Sequence, residues 1–441
     1  MPDHSGSIEH PHAGEKNEAL RKSGDGKEQP WPIEKQTNTW KQILRIPVIV
    51  AALGYMVDMY DLFLFNIVRV PSLKELGLSQ DEIFSKGLSI LNVQMVGMLL
   101  GGLLWGILGD KKGRLSVLFG SIILYSAANL ANGFVQSYNQ YFVLRFIAGI
   151  GLAGELGAGV TLVSEILPKQ IRGYGTTIVA TVGLFGAVLA YFVSDVFSWR
   201  ASFIAGGILG IFLLVTRIRV MESELFSSLK RKRVSKGNFF FLFSNAKRFS
   251  KYLCSILIGT PIWFVTGVLI FFSPEFGQAH GTTEPIVAGK AVMLTLSSQV
   301  IGNILSGYLS QRLKSRKKGM LYFLCGSYLS MLVYLLTMTQ SAFLFYVLCA
   351  LLGFFNGYWT LFITIAAELF GTNIRSTVAT TVPNFVRASV IPVSALFLFF
   401  KGDFGLTMAG VLTATLVILV ALGALARLEE TFSKDLNYEE E

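Results

Sequence analysis

The sequence predicts an all-α membrane protein of twelve transmembrane helices arranged as two six-helix repeats. Three observations carry this. Apolar runs long enough to cross a bilayer recur along the chain, since a crossing takes about 20 residues. Basic residues gather in alternate loops. A nine-residue pattern in the first half returns in the second: SEILPKQIR at 164–172 and AELFGTNIR at 367–375. Glu165 and Arg172 thus recur 203 residues on as Glu368 and Arg375.

Composition agrees. The 441 residues are 52% hydrophobic and only 15% charged, against about 25% charged in soluble domains. Their mean hydropathy is +0.55. A net charge of +10 would suit nucleic acid in a soluble chain. Here it follows from basic loops on one side of a membrane, so no nucleic-acid partner is expected.

The predicted spans are α1 (47–70), α2 (86–109), α3 (116–135), α4 (139–167), α5 (174–197) and α6 (200–218). The second set is α7 (252–274), α8 (287–310), α9 (319–339), α10 (341–369), α11 (376–400) and α12 (405–427). They must be helices, because backbone groups in lipid need partners within the chain and runs this long exclude barrel strands. Residues 1–45 read as a disordered tail, 46–218 as the first bundle, 219–251 as a basic linker containing KRKR, 252–427 as the second bundle and 428–441 as an acidic tail.

Lys111, Lys112 and Arg114 follow α2, Lys169 and Arg172 follow α4, and Arg312, Lys314, Arg316, Lys317 and Lys318 follow α8. The opposite loops QSYNQ and TQSA have no basic residue. Both termini are therefore expected in the cytoplasm, in a plasma (bacterial inner) membrane.

Cys254, Cys325 and Cys349 lie in apolar runs without metal-ligand spacing, so no metal or disulfide framework is expected. His4, His10, His12 and His280 all fall outside the spans. Proton chemistry in the membrane is left to carboxylates. No nucleophile–base or metal constellation appears, so an enzyme is not expected.

Within the spans stand Asp58, Asp61, Arg145, Glu155 and Arg387. A charge at mid-bilayer costs about 2.5–3.5 kcal/mol, so such residues face a bundle interior and find partners. Asp61 lies roughly 14 Å below the outer end of α1, and Arg145 roughly 9 Å below the same face on α4. The two can meet. Asp58 is one turn deeper on the same face. Glu155 falls near its depth, where two carboxylates repel and one can hold a proton. Arg387, between Pro383 and Pro392, has no acid of matching depth in its own half, so a bound anion or Asp58 or Glu155 is its expected partner. Trp263, Gln299, Asn303, Asn356, Tyr358, Trp359 and Asn384 complete a candidate substrate pocket.

GILGDKKGR at 106–114 resembles the loop 2–3 signature of the major facilitator superfamily. GLAGELGAG, the D-x-Y-D of α1 and FSWRASF resemble its metabolite:proton symporters. DMYDLFLFN also resembles phosphate:proton symporters, but the helix 4 Gly-Asp-Tyr-Pro of that group is replaced by Gly154, Glu155, Leu156 and Gly157. The acid that follows its helix 7 tryptophan is absent after Trp263. The sugar-porter Gln-Gln pattern is missing from α7, and GLFGAVLA on α5 lacks the proline of antiporting exporters.

The resemblance implies a secondary carrier working by alternating access. It implies coupling to protons through Asp61 and Arg145, with Asp58 and Glu155 assisting, and no other cofactor. It implies a cytoplasmic gate of Asp110, Arg114, Glu165, Arg172, Glu368 and Arg375, with Gln311 replacing the acid in the second copy. The expected function is import of a small organic anion or zwitterion by a monomer. The alternatives are a phosphate:proton symporter and a proton-antiporting exporter of an organic anion.

Overall fold

The computed structural model describes residues 46–112, 114–157, 159, 163, 167, 172–221, 239–371 and 374–434. The expected tail, with its histidines, and most of the basic linker lie outside them. Nine helical stretches among the described residues are long and apolar enough to cross a membrane. One of these, Thr377–Arg427, holds both α11 and α12. Two shorter helices, α3 (Arg114–Asn132) and α4 (Tyr138–Leu152), complete twelve crossings.

In the first half α1 is Ile46–Glu75, α2 Gln80–Lys112, α5 Arg172–Val196 and α6 Trp199–Met221. In the second, α8 is Ala288–Arg312 and α9 Arg316–Leu336. The halves pack alike. α1 lies along α5, α2 along α4 and α3 on α6; correspondingly α7 lies along α11, α8 along α10 and α9 on α12. Between the halves α2 meets α11 and α5 meets α8.

Four crossings are interrupted. α7 starts at Ala246, inside the stretch read as linker, and runs in pieces: Ala246–Leu257, Thr260–Phe264, a π turn at Val265–Ile270 and Ser273–His280. π turns often mark functional sites. α10 divides into Ala342–Phe355 and Trp359–Glu368. α11 runs Arg375–Ala388 and resumes at Val390. It ends at Gly405, whose φ of 74° only glycine adopts without strain; α12 continues to Arg427. α4 turns at Ala153–Gly154, and the Ala153 carbonyl exposed there accepts from Asn384 Nδ2 of α11 at 3.1 Å.

At the end of the bundle carrying the α1–α2 loop the halves are joined. Arg69 of α1 donates to both oxygens of Glu275 in α7, at 2.7 and 2.8 Å. Its guanidinium also lies over the Phe271 and Phe272 rings. Phe84 of α2 stacks on Phe272 with centroids 4.2 Å apart.

At the opposite end the chain folds back after α12. Glu430 accepts from Ser315 Oγ and from the Arg316 and Lys317 backbone N–H groups at the start of α9. Thr431 Oγ1 donates to Glu368 at 2.7 Å.

Candidate functional site

Six buried charges occupy the centre: Asp58, Asp61, Arg145, Glu155, Arg217 and Arg387, none more than 3% exposed. They form three pairs of different quality.

Asp61 accepts from Arg145 Nη1 at 3.0 Å. The arginine is further fixed by Asn129 Oδ1 of α3 and by the Phe203 ring 4.7 Å away. Asp61 Oδ2 accepts no hydrogen bond.

Glu155 has a partner that the sequence reading did not name: Arg217, near the end of α6, binds both its oxygens. Gly54 makes the approach possible: a Cβ there would lie 2.0 Å from Arg217 Nη2 and 2.1 Å from Glu155 Oε1. Arg217 stood one residue from a predicted span end, where a long side chain ordinarily reaches the interface. It turns inward instead.

Arg387 is the loosest. Its Nη2 lies 3.9 Å from Asp58 Oδ2, an ion-pair distance without a hydrogen bond. Nη1 donates to Asn384 Oδ1 at 3.3 Å, while Nε and Nη2 have no hydrogen-bond partner. Both Asp58 oxygens are likewise unpartnered. The Trp359 ring lies 5.9 Å from the guanidinium carbon, and the Tyr55 hydroxyl faces both Arg387 and Trp359. Trp263 stacks on Phe63 of α1, with ring centroids 6.4 Å apart. A planar, half-satisfied guanidinium walled by aromatic rings can take a carboxylate by two parallel hydrogen bonds.

The remaining pocket residues divide. Gln299 Oε1 and Tyr358 Oη are buried without partners. Asn303 and Asn356 hold helices instead. Asn303 Oδ1 accepts from the Thr360 backbone N–H at the restart of α10. Asn356 Nδ2 donates to the Ile262 carbonyl and Thr266 Oγ1 beside the π turn of α7. Asn356 Oδ1, by contrast, is buried without a partner, like Gln299 Oε1 and Tyr358 Oη.

At the gate, Glu165 and the side chains of Asp110, Arg114 and Arg172 lie outside the described residues. Glu368 pairs with Arg316 at 3.2 Å within its own half. Arg375 donates from Nε to the Ala367 and Phe370 carbonyls. The ion-pair partner seen for Glu368 is thus Arg316, which the sequence reading did not name. Arg69 and Glu275, joining α1 to α7, were not singled out from the sequence, because each stood at or beyond a predicted span end. Among the described residues no cluster of His, Cys, Asp or Glu could hold a metal ion.

The niacin transporter NiaP of Acinetobacter baylyi is 26% identical over 367 residues, 74% of this chain and 80% of that protein. The benzoate transport protein of the same organism is 24% identical over 369 residues, 75% and 78% of the two chains. The proton:xylose symporter XylE bound to 6-bromo-6-deoxy-D-glucose superposes with a TM-score of 0.67 at 16% identity, over 91% of this chain and 98% of that one. At that identity it attests the fold alone. The family model of the Major Facilitator Superfamily matches residues 51–395. With two like-packed halves around a charged centre, and a family match across most of both, the chain is a multi-pass membrane carrier of small molecules rather than an enzyme, and it belongs to the Major Facilitator Superfamily.

Proposed function

We propose that the protein imports a small organic anion by proton symport, as a metabolite:proton symporter of the inner membrane with both termini in the cytoplasm. The observation that carries this is Arg387. Its guanidinium is buried at the centre, with Nε and Nη2 unpartnered and aromatic rings beside it. A buried cation left half-satisfied favours an anionic ligand. The named cargoes of the two relatives, niacin and benzoate, are flat rings bearing a carboxylate. In this reading the ring lies beside Trp359 and Tyr55 with its carboxylate on Arg387.

Asp58 and Asp61 on α1, with Arg145, are the proton-coupling group. The proton is the only coupling species, no cofactor takes part, and the monomer suffices. Glu155 with Arg217 braces α4 against α6. Rocking of the halves would break Arg69–Glu275 on the outer side and remake the cytoplasmic contacts of Asp110, Arg114, Glu165 and Arg172 with the second half. Glu368 and Arg375 belong to that cytoplasmic side. Arg387 taken alone suits phosphate equally well; the aromatic walls favour a ring.

The test is proton influx into liposomes holding the purified protein, on addition of nicotinate, benzoate, phosphate, betaine or xylose. Influx is expected with a ring carboxylate and is expected to vanish in Arg387→Gln and Asp61→Asn. Influx with phosphate alone would replace the organic acid. Radiolabelled uptake without any proton movement would make the protein a facilitator.

A further inference from the structure

Asn384 of α11 touches both the central guanidinium and the opposite half. Its Oδ1 accepts from Arg387 Nη1 at 3.3 Å, one turn along the same helix. Its Nδ2 donates to the Ala153 carbonyl of α4 at 3.1 Å and to the Thr380 carbonyl of its own helix at 3.2 Å. The amide can sit only this way round, because a guanidinium donates and carbonyls accept. Only 3% of the residue is exposed.

The socket that receives this amide is firmly built. α2 and α4 approach so closely that a Cβ on Gly97 would collide with the Phe146 carbonyl oxygen, and one on Gly101 with that of Ile150. Small residues allow membrane helices to pack in this way. Trp105 Nε1 of α2 also donates to the Ile150 carbonyl, at 2.6 Å. Gly102 leaves the room that Asn384 fills, since a Cβ there would lie 3.0 Å from Nδ2. The first half thus offers a fixed carbonyl, and the second half reaches it with an amide.

The consequence falls on Arg387. With Nη1 held by Asn384, the edge carrying Nε and Nη2 is left without hydrogen bonds. That edge is a fork that a carboxylate can take with two parallel bonds. Asp58, 3.9 Å from Nη2, attracts the same edge without bonding to it. We infer that Asn384 is a positioning residue that aims this edge at the anion while the halves are seated together along α2, α4 and α11, so that anion affinity depends on the state of the carrier. This rests on the reading of Arg387 as the anion site. When the halves part at this seam, Nδ2 loses Ala153 and keeps only the bond to Thr380, and Arg387 loses its fixed aim. The anion therefore binds most tightly in the seated state, and by reciprocity it favours that state. Asn384 does this without touching the anion.

Two measurements on the purified full chain test this: calorimetric binding of nicotinate and benzoate, and spin-label distances between the ends of α1 and α7 that carry Arg69 and Glu275. Asn384→Ala is expected to weaken binding about tenfold. Saturating nicotinate should narrow the distance distribution in the native chain and leave it unchanged in Asn384→Ala. Glu275→Gln should weaken nicotinate binding in the native background and add nothing to Asn384→Ala. Additive losses, or a narrowing that persists in Asn384→Ala, overturn the inference. Gly102→Ala disturbs the socket while leaving Asn384 and Arg387 in place, and should weaken binding in the same direction. If Asn384→Ala does not fold, unchanged affinity in Gly102→Ala overturns the inference instead. Arg387→Gln separates the two readings. Binding absent from the native chain, or kept in Arg387→Gln, overturns the anion site and this inference together. Binding lost in Arg387→Gln yet unchanged in Asn384→Ala overturns this inference alone.

Discussion

Arg217 reaches back from the end of α6 to grip both oxygens of Glu155, through the space that Gly54 leaves beside α1. Three helices thus meet at one ion pair, and a side chain at position 54 would force the ends of Arg217 and Glu155 to shift. Gly54→Ala is expected to lower the melting temperature in detergent and to slow transport, because the pair must move to admit the methyl group. Gly423→Ala, where an added Cβ meets nothing within 4 Å, serves as the neutral control. Arg217→Gln is expected to destabilise like Gly54→Ala. The double variant Glu155→Gln with Arg217→Gln should recover part of that loss, which a double-mutant cycle of melting temperatures would read.

Arg69 and Glu275 clasp α1 to α7 across the halves. Glu275→Gln is expected to weaken this clasp and shift the balance toward the state open at that end. Coupling free energies of this kind are about 1–3 kcal/mol. Spin labels placed near the ends of α1 and α7 that carry this pair should report a longer, broader distance distribution. An unchanged distribution would show that the aromatic stack of Phe84 on Phe272 holds that end by itself.

His280, at the end of the helical run Ser273–His280, is buried against Tyr334 and Phe345 with neither ring nitrogen partnered. Burial pushes its basicity below the ordinary value of 6.5. A depressed base is neutral in both states above 6.5, and the unfolded chain takes the proton first as pH falls. Stability should therefore decline as pH drops below that point. His280→Phe is expected to flatten this part of a melting-temperature profile; an unaltered slope would place the acid sensitivity elsewhere.

Glu430 shows the opposite chemistry. Partial burial pushes its carboxyl up, but hydrogen bonds from Ser315 and from the Phe432, Arg316 and Lys317 backbone outweigh it and hold the group below its ordinary 4.5. A depressed acid contributes stability that is present above 4.5 and lost as pH falls through the lower folded value. Protection factors at the start of α9, corrected for the intrinsic pH dependence of amide exchange, should fall on acidification in the native chain. In Glu430→Gln they should already be low at neutral pH.

Much of the architecture was legible because a bilayer imposes length and charge rules on every crossing. Helix rise alone put Asp61 and Arg145 near enough in depth to meet, and they lie 3.0 Å apart. Helix rise says nothing of which way a side chain turns. Arg217 and Arg69 sat at span ends, where lipid headgroups are an equally good destination, and only the packing of neighbouring helices turns them inward. Asn303 and Asn356 looked like pocket residues because a polar side chain in a span needs a partner. Their partners are backbone groups at the breaks in α10 and α7, and no pattern in a single sequence foretold the π turn that creates one of them.

The fold-back after α12 has a mechanical consequence. Glu430 and Thr431 fasten the end of the last crossing to the start of α9 and the end of α10. The second half is thereby a hoop rather than an open row of helices, its final turn tied to its middle. A hoop resists splaying, so the last helix moves with the second half rather than apart from it. Cutting the chain just after Arg427 would leave every crossing in place and yet untie the hoop.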